Sequence, residues 1–154
     1  MPNFIDLFAG AGGLSEGFVR AGYTPIAHIE MNHDACDTLR TRAAYHWLRQ
    51  NNKLDIYTQY LYTKKEKESG KWLWDRVPKE VIDSVIEKAI GEDTINDLFS
   101  QVDNLRKGRN IDVVIGGPPC QAYSIVGRAR MGERVTDDPR NDLYRYYVKF
   151  LEYY

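Results

Sequence analysis

The chain has 154 residues, 43% of them hydrophobic, which is enough for one domain with its own core. Its formal net charge of -1 excludes a uniformly basic, histone-like binder but leaves local phosphate contacts open. Cys36 and Cys120 fall in different elements and make no disulfide framework, so a reducing cytoplasm is the expected setting. The opening Met1-Pro2-Asn3 has no secretion-signal character, and no stretch nears the roughly 18 apolar residues of a membrane span.

Residues 4–8 (Phe-Ile-Asp-Leu-Phe) predict the first strand. The turn Ala9-Gly10-Ala11-Gly12-Gly13 follows, then a helix from about Leu14 to Ala21 with Leu14, Phe18 and Ala21 on one face and Gly22 as its stop. A strand, a glycine turn and a helix form the nucleotide-binding half of a doubly wound α/β fold, where backbone and helix N-terminus face the ligand. Residues 25–30 predict the second strand. It ends in Glu30, 20 residues after Gly10, a spacing that suits an acid binding the hydroxyls of an adenosine ribose. On these features alone, NAD and S-adenosylmethionine fit equally well.

Residues 33–50 predict a helix, with Ala35, Leu39, Ala43 and Trp47 recurring every four positions and Asn32 as N-cap. His33 and His46 have no metal-ligand companions at useful spacing and read as surface or capping residues; no metal site is expected. Cys36 reads as packing. Residues 51–77, with five aromatics around Lys64-Lys65-Glu66-Lys67-Glu68, read as an exposed hairpin or partly mobile insertion rather than a single-strand nucleic-acid binder. Residues 78–88 predict a short helix with Val81, Ile82, Val85 and Ile86 inward. Ala89-Ile90-Gly91 is expected as a brief third strand. Residues 95–106 predict a further helix with Leu98, Val102 and Leu105 inward.

Residues 112–115 (Asp-Val-Val-Ile) predict a strand buried on both faces. Gly116-Gly117-Pro118-Pro119 ends it abruptly and presents Cys120 at the carboxyl edge of the sheet, where open α/β sheets bind ligands. By itself that thiol is equally a nucleophile or a small buried hydrophobe. A long polar loop over 122–138 follows, and residues 140–154 predict a helix striped by Leu143, Tyr146, Tyr147, Phe150, Leu151 and Tyr154.

Two motifs together resemble the DNA (cytosine-5)-methyltransferases. One is Asp6-Leu7-Phe8-Ala9-Gly10-Ala11-Gly12, in which Ser15 replaces the third glycine of the dinucleotide fingerprint; the other runs from Gly117 through Pro118-Pro119-Cys120-Gln121 to Ser124. The resemblance implies a Rossmann-like methyltransferase fold with parallel strands in the order 3-2-1-4. It implies S-adenosylmethionine as cofactor, with Phe8, Ala9, Gly10, Ala11, Gly12, Gly13 and Pro119 around it. Glu30 would take the ribose, Met31 would stand against the adenine, Asp93 would contact its amino group, and Leu143 would lie beside the cofactor. Cys120 would be the nucleophile, with Gln121 and Ser124 in the same motif, acting on a cytosine flipped out of double-stranded DNA. Arg128 and Arg130 would contact DNA phosphates from the closing loop.

The family's Glu-Asn-Val motif, its later strands and its target-recognition region have no counterpart in residues 1–154. The expectation is therefore the front part of a catalytic domain: a truncated gene product, or one subunit of a split enzyme needing a complementing C-terminal chain, doubtfully active alone. A tRNA cytosine methyltransferase shares the motifs. A noncatalytic cofactor-binding module and a dehydrogenase half are the readings from other classes.

Overall fold

The computed structural model describes residues 1–63, 69–118 and 142–154. Its centre is a sheet of four parallel strands: β1 (Asn3–Leu7), β2 (Thr24–Glu30), β3 (Val85–Glu87) and β4 (Val113–Gly116). Their order is β3-β2-β1-β4, as the resemblance implies. Around them, among the described residues, lie helices α1 (Gly13–Arg20), α2 (His33–Gln50), α3 (Leu54–Thr63), α4 (Ser69–Trp74), α5 (Lys79–Asp83), α6 (Ile95–Arg106) and α7 (Leu143–Tyr153). None is long and apolar enough to cross a membrane.

Alternation along β1 divides its side chains between two layers. Ile5 and Leu7 join Ala27, Ile29, Leu98, Val102 and Phe150 in the main core under α6 and α7. Phe4 and Asp6 point the other way, to α1: Phe4 meets Phe18 with ring centroids 5.5 Å apart, and Asp6 meets Ser15. The inner face of α1 is thus Ser15 with half-buried Phe18 and Val19. Leu14 is 51% exposed and Ala21 is exposed, so the expected apolar face is rotated. The buried acid of β1 draws the polar Ser15 inward. The expected helix stop holds: Gly22 at φ 90° donates its N–H to Val19 O and Tyr23 donates to Phe18 O, with the Phe18 and Tyr23 rings 5.1 Å apart. That pair of bonds with its ring contact is a Schellman motif.

The stretch 78–91 differs from expectation. The helix stops at Asp83, and β3 begins at Val85, where 78–88 reads as continuous helix and 89–91 as strand. Val85 and Ile86 are buried, but as strand residues. Their β-branched side chains favour extended backbone, and the edge of β2 offers a ladder: His28 N donates to Ser84 O and Lys88 N to Glu30 O. Three residues of pairing were too short to carry a periodic signal.

The described parts of 51–77 also depart from the exposed hairpin. Helices α3 and α4 fold onto α2 and close a second core of Ala44, Leu48, Tyr60, Leu73 and Val77. Aromatic content decides this, because the rings bury area against α2 that a solvated hairpin would leave wet. The charged run 64–68 lies outside the described residues.

Among the described residues β4 ends the sheet, and it starts one residue later than expected. Only Ile115 of its four residues is buried, rather than the whole strand, as suits a strand with one open edge. In α7, Phe150 is fully buried and Tyr146, Tyr147 and Tyr154 are half-buried, while Leu151 is 54% exposed. The Tyr147 hydroxyl donates to Val114 O at 2.7 Å and ties α7 to β4.

Candidate functional site

The carboxyl ends of β1 and β2 meet at the glycine turn. After Leu7 the backbone reverses through Phe8 (φ 57°), Gly10 (φ 53°) and Gly12 (φ 81°). Phe8 in the left-handed region is strained, and its half-buried ring on the main core holds it there. Gly12 is required on two counts: its φ is positive, and a Cβ would lie 2.8 Å from Leu39 Cδ2. The turn is hydrogen-bonded within itself and to β2: Gly12 N donates to Ala9 O, and Ala9 N to Ile29 O.

Glu30 closes the turn from the other side. Its Oε2 accepts from Gly10 N at 2.8 Å, and its Oε1 accepts from Met31 N at 2.9 Å and Asn32 N at 2.8 Å. The sequence spacing thus corresponds to a direct contact between acid and glycine turn. A carboxylate offers about four lone-pair positions, so Glu30 keeps about one for a ligand. Met31 is 73% exposed beside it. Asn32 caps α2 by accepting from Ala35 N at 2.9 Å. By contrast α1 has no side-chain cap, and its first N–H groups face the turn without a side-chain acceptor.

The other expected residues divide by position. Ala11 and Gly13 are exposed on the turn. Asp93 is exposed on the 91–94 turn between β3 and α6, and Thr94 Oγ1 holds that turn by accepting from Gly91 N at 3.0 Å. Leu143 opens α7 and is half-buried. Pro119, Cys120, Gln121, Ser124, Arg128 and Arg130 lie outside the described residues, directly after β4. Cys36 is the packing residue expected of it: fully buried, with its thiol pushed up to about 11 by burial first. Among the described residues no cluster of His, Cys, Asp or Glu has metal-site geometry.

Sequence reasoning missed two polar features. At the ends of β2 and β3, Glu87 binds His33 Nδ1 at 2.9 Å and Arg40 Nη2 at 2.8 Å. Its hydrogen bonds to Arg40 and His33 hold its carboxyl below the usual range, and the bond to Glu87 raises His33. The late placement of β3 hid this pairing. The second feature is His28 beside Asp6, both under α1. The available signal was a polar residue at one inward position of each apolar strand.

The protein-family model for C-5 cytosine-specific DNA methylase matches residues 2–68 and 66–154. Among curated proteins, a type II methyltransferase of Bacillus paralicheniformis is 35% identical over 96% of this chain, one of Haemophilus parahaemolyticus 31% over 97%, and a putative one of Methanocaldococcus jannaschii 33% over 80%. The chain spans 37%, 28% and 37% of those three proteins, respectively. No solved structure matches. The matches cover the glycine turn, Glu30 and the Pro-Pro-Cys-Gln stretch alike, and the chain belongs to the C-5 cytosine-specific DNA methylase family.

Proposed function

We propose that this chain is the cofactor-holding front part of an enzyme that transfers a methyl group from S-adenosylmethionine to carbon 5 of cytosine in DNA. The observation that carries this reading is the glycine turn held against Glu30 in a chain of this family. The residues present fit the cofactor. Gly10 leaves the turn open where a side chain would stand, and Gly12 lets the turn pack closely on Leu39. The first turn of α1, without a side-chain cap, offers N–H groups to a carboxylate, and Glu30 retains acceptor capacity for a ribose hydroxyl. Phe8, Ala9, Ala11 and Gly13 complete that wall, Met31 and Asp93 take the adenine, Leu143 lies beside the cofactor, and Pro119 joins the same cofactor-binding set. When bound, S-adenosylmethionine supplies an electrophilic methyl on a sulfonium.

Carbon 5 of cytosine is a weak nucleophile. The Cys120 thiolate adds to carbon 6, the electron pair moves to carbon 5, and carbon 5 becomes enamine-like. Carbon 5 would then bond to the methyl as the methyl–sulfur bond breaks and its electron pair returns to sulfur, leaving a neutral thioether. Loss of the carbon 5 proton to a base and expulsion of the thiolate from carbon 6 would restore the aromatic ring. Free thiols have a pKa near 8.5, so the surroundings of Cys120 must favour its ionised form. Gln121 and Ser124 act beside it, and Arg128 and Arg130 hold phosphates around a base that must leave the duplex to be reached.

The position of β4 at the end of the sheet favours a second element of the proposal. The cytosine-binding Glu and the target-recognition region come from sequence beyond residues 1–154, in the same polypeptide or a complementing C-terminal chain. Calorimetry with S-adenosylhomocysteine and with NAD tests the cofactor; binding of NAD and not of the sulfur ligand would overturn it. Methyl transfer to duplex DNA by the complete enzyme, abolished in Cys120→Ser, tests the chemistry. Efficient methylation of tRNA instead would replace the substrate.

A further inference from the structure

Three polar side chains lie in the layer between the sheet and α1. Asp6 comes from β1, His28 from β2 and Ser15 from the first turn of α1, and they are 0%, 6% and 4% exposed. Ser15 Oγ donates to Asp6 Oδ2 and lies 3.1 Å from His28 Nδ1. A hydroxyl has one hydrogen to give. With that hydrogen on Asp6, Ser15 Oγ meets His28 as an acceptor, so Nδ1 carries the imidazole hydrogen. The chain of donors therefore runs from His28 to Ser15 to Asp6.

Burial sets the charge states that this order needs. Desolvation pushes His28 down to about 4, helped by His46 of α2, so it is neutral near pH 7. Desolvation raises Asp6 to about 6 against the Ser15 hydrogen bond, with Glu30 of β2 adding to the rise, so near pH 7 Asp6 is largely ionised. Tyr147 of α7 is raised by burial and then by the Asp6 charge, and stays neutral there. On α1 itself, Glu16 binds His46 and Arg20.

Ser15 and His28 also line a cavity of about 430 Å³ between α1 and α2. On that side packing is incomplete, and the hydrogen bonds add to the Phe4–Phe18 contact in holding α1 to the sheet. Glu30 anchors the front of the glycine turn at Gly10, and nothing caps α1 behind it. We propose that Ser15 is a positioning residue: by joining Asp6 and His28 it pins the start of α1 to both β1 and β2, and so fixes the back of the turn that holds the cofactor. This rests on the reading of that turn as the S-adenosylmethionine site.

The pin depends on pH with a defined sign. Below about 6 Asp6 takes up a proton. Its Oδ1 has no partner and can receive that proton, while Oδ2 still accepts from Ser15. The bond then loses its charge assistance, worth about half its strength. Cofactor affinity should fall as pH drops from 7.5 to 5.5.

The test measures S-adenosylhomocysteine binding by calorimetry at both pH values for wild type, Ser15→Ala and Ser15→Thr, together with ligand-free amide exchange and His28 nitrogen shifts. Expected is a loss of about tenfold in affinity for Ser15→Ala at pH 7.5. Threonine should rescue it, and the pH response should vanish in the alanine variant. Without ligand, amides 11–15 should exchange faster in Ser15→Ala while those of Leu7 and Ile29 stay protected, and wild-type His28 should show the neutral Nδ1–H form. An alanine variant with wild-type affinity and unchanged exchange, or a wild-type His28 protonated on Nε2 alone, overturns the pin. A wild-type chain that ignores S-adenosylhomocysteine refutes the cofactor reading and with it the positioning role; exchange and the His28 tautomer then decide the pin by themselves.

Discussion

Gly116 and Gly117 are adjacent, yet alanine should act differently at each. A Cβ on Gly116 would lie 2.3 Å from the carbonyl oxygen of Leu7 and 3.1 Å from its carbonyl carbon. The obstacle is backbone, so no side-chain rotation relieves it. To reach the 3.4 Å where ordinary contact begins, β1 and β4 must separate by about 1 Å at the Leu7–Gly116 pair, the last of four in register. A hydrogen bond stretched by that much is lost. One or two lost ladder bonds at about 1 kcal/mol each, with strain of about 1–2 kcal/mol, give a cost of about 2–4 kcal/mol. At Gly117 nothing lies within 4 Å, and its φ is outside the left-handed region, so Gly117→Ala should change stability by less than about 0.5 kcal/mol. Urea unfolding at constant m reads both. A Gly116→Ala midpoint equal to wild type, or equal damage at both glycines, would refute the reasoning. The contrast has functional weight because β4 leads directly into Pro118-Pro119-Cys120.

Asp6→Asn should gain stability relative to wild type as pH rises from about 4 to about 6. A carboxyl raised to about 6 in the fold holds its proton more tightly there than when unfolded, so its ionisation costs about 3 kcal/mol above that window. His28, lowered to about 4, has the opposite sign, and His28→Gln should gain relative to wild type as pH falls from about 6.5 toward 4. Difference curves from urea unfolding between pH 4 and 7.5 check both, and curves parallel to wild type would contradict the assigned burial. Leu73→Ala should cost about 2–5 kcal/mol, because Leu73 is fully buried in the second core; a loss below about 0.5 kcal/mol would return residues 51–77 to a solvated insertion. The open edge of β4 should drive association of the isolated chain at low micromolar concentration. Asp112 N bonds Asn3 O, so the N–H groups of Val113 and Ile115 alternate away from β1. A monomer by sedimentation, with those two amides protected, would show the edge already covered.

The sequence by itself determined the first two strands, the glycine turn and the acid placed 20 residues beyond Gly10. These rest on local grammar: apolar runs of strand length, glycines where φ must be positive, and a fixed distance from turn to acid. The family and the parallel strand order came from the resemblance of two whole motifs. Tertiary structure alone decided three things. It placed β3 at Val85–Glu87, because a three-residue strand exists only by virtue of the β2 edge beside it. It folded the described parts of 51–77 onto α2, because aromatic burial depends on a surface that no local pattern reveals. It also drew Ser15 inward to Asp6 and His28, residues from three separate elements. A buried polar group needs a partner, and which partner is available depends on how the strands and α1 cross in space.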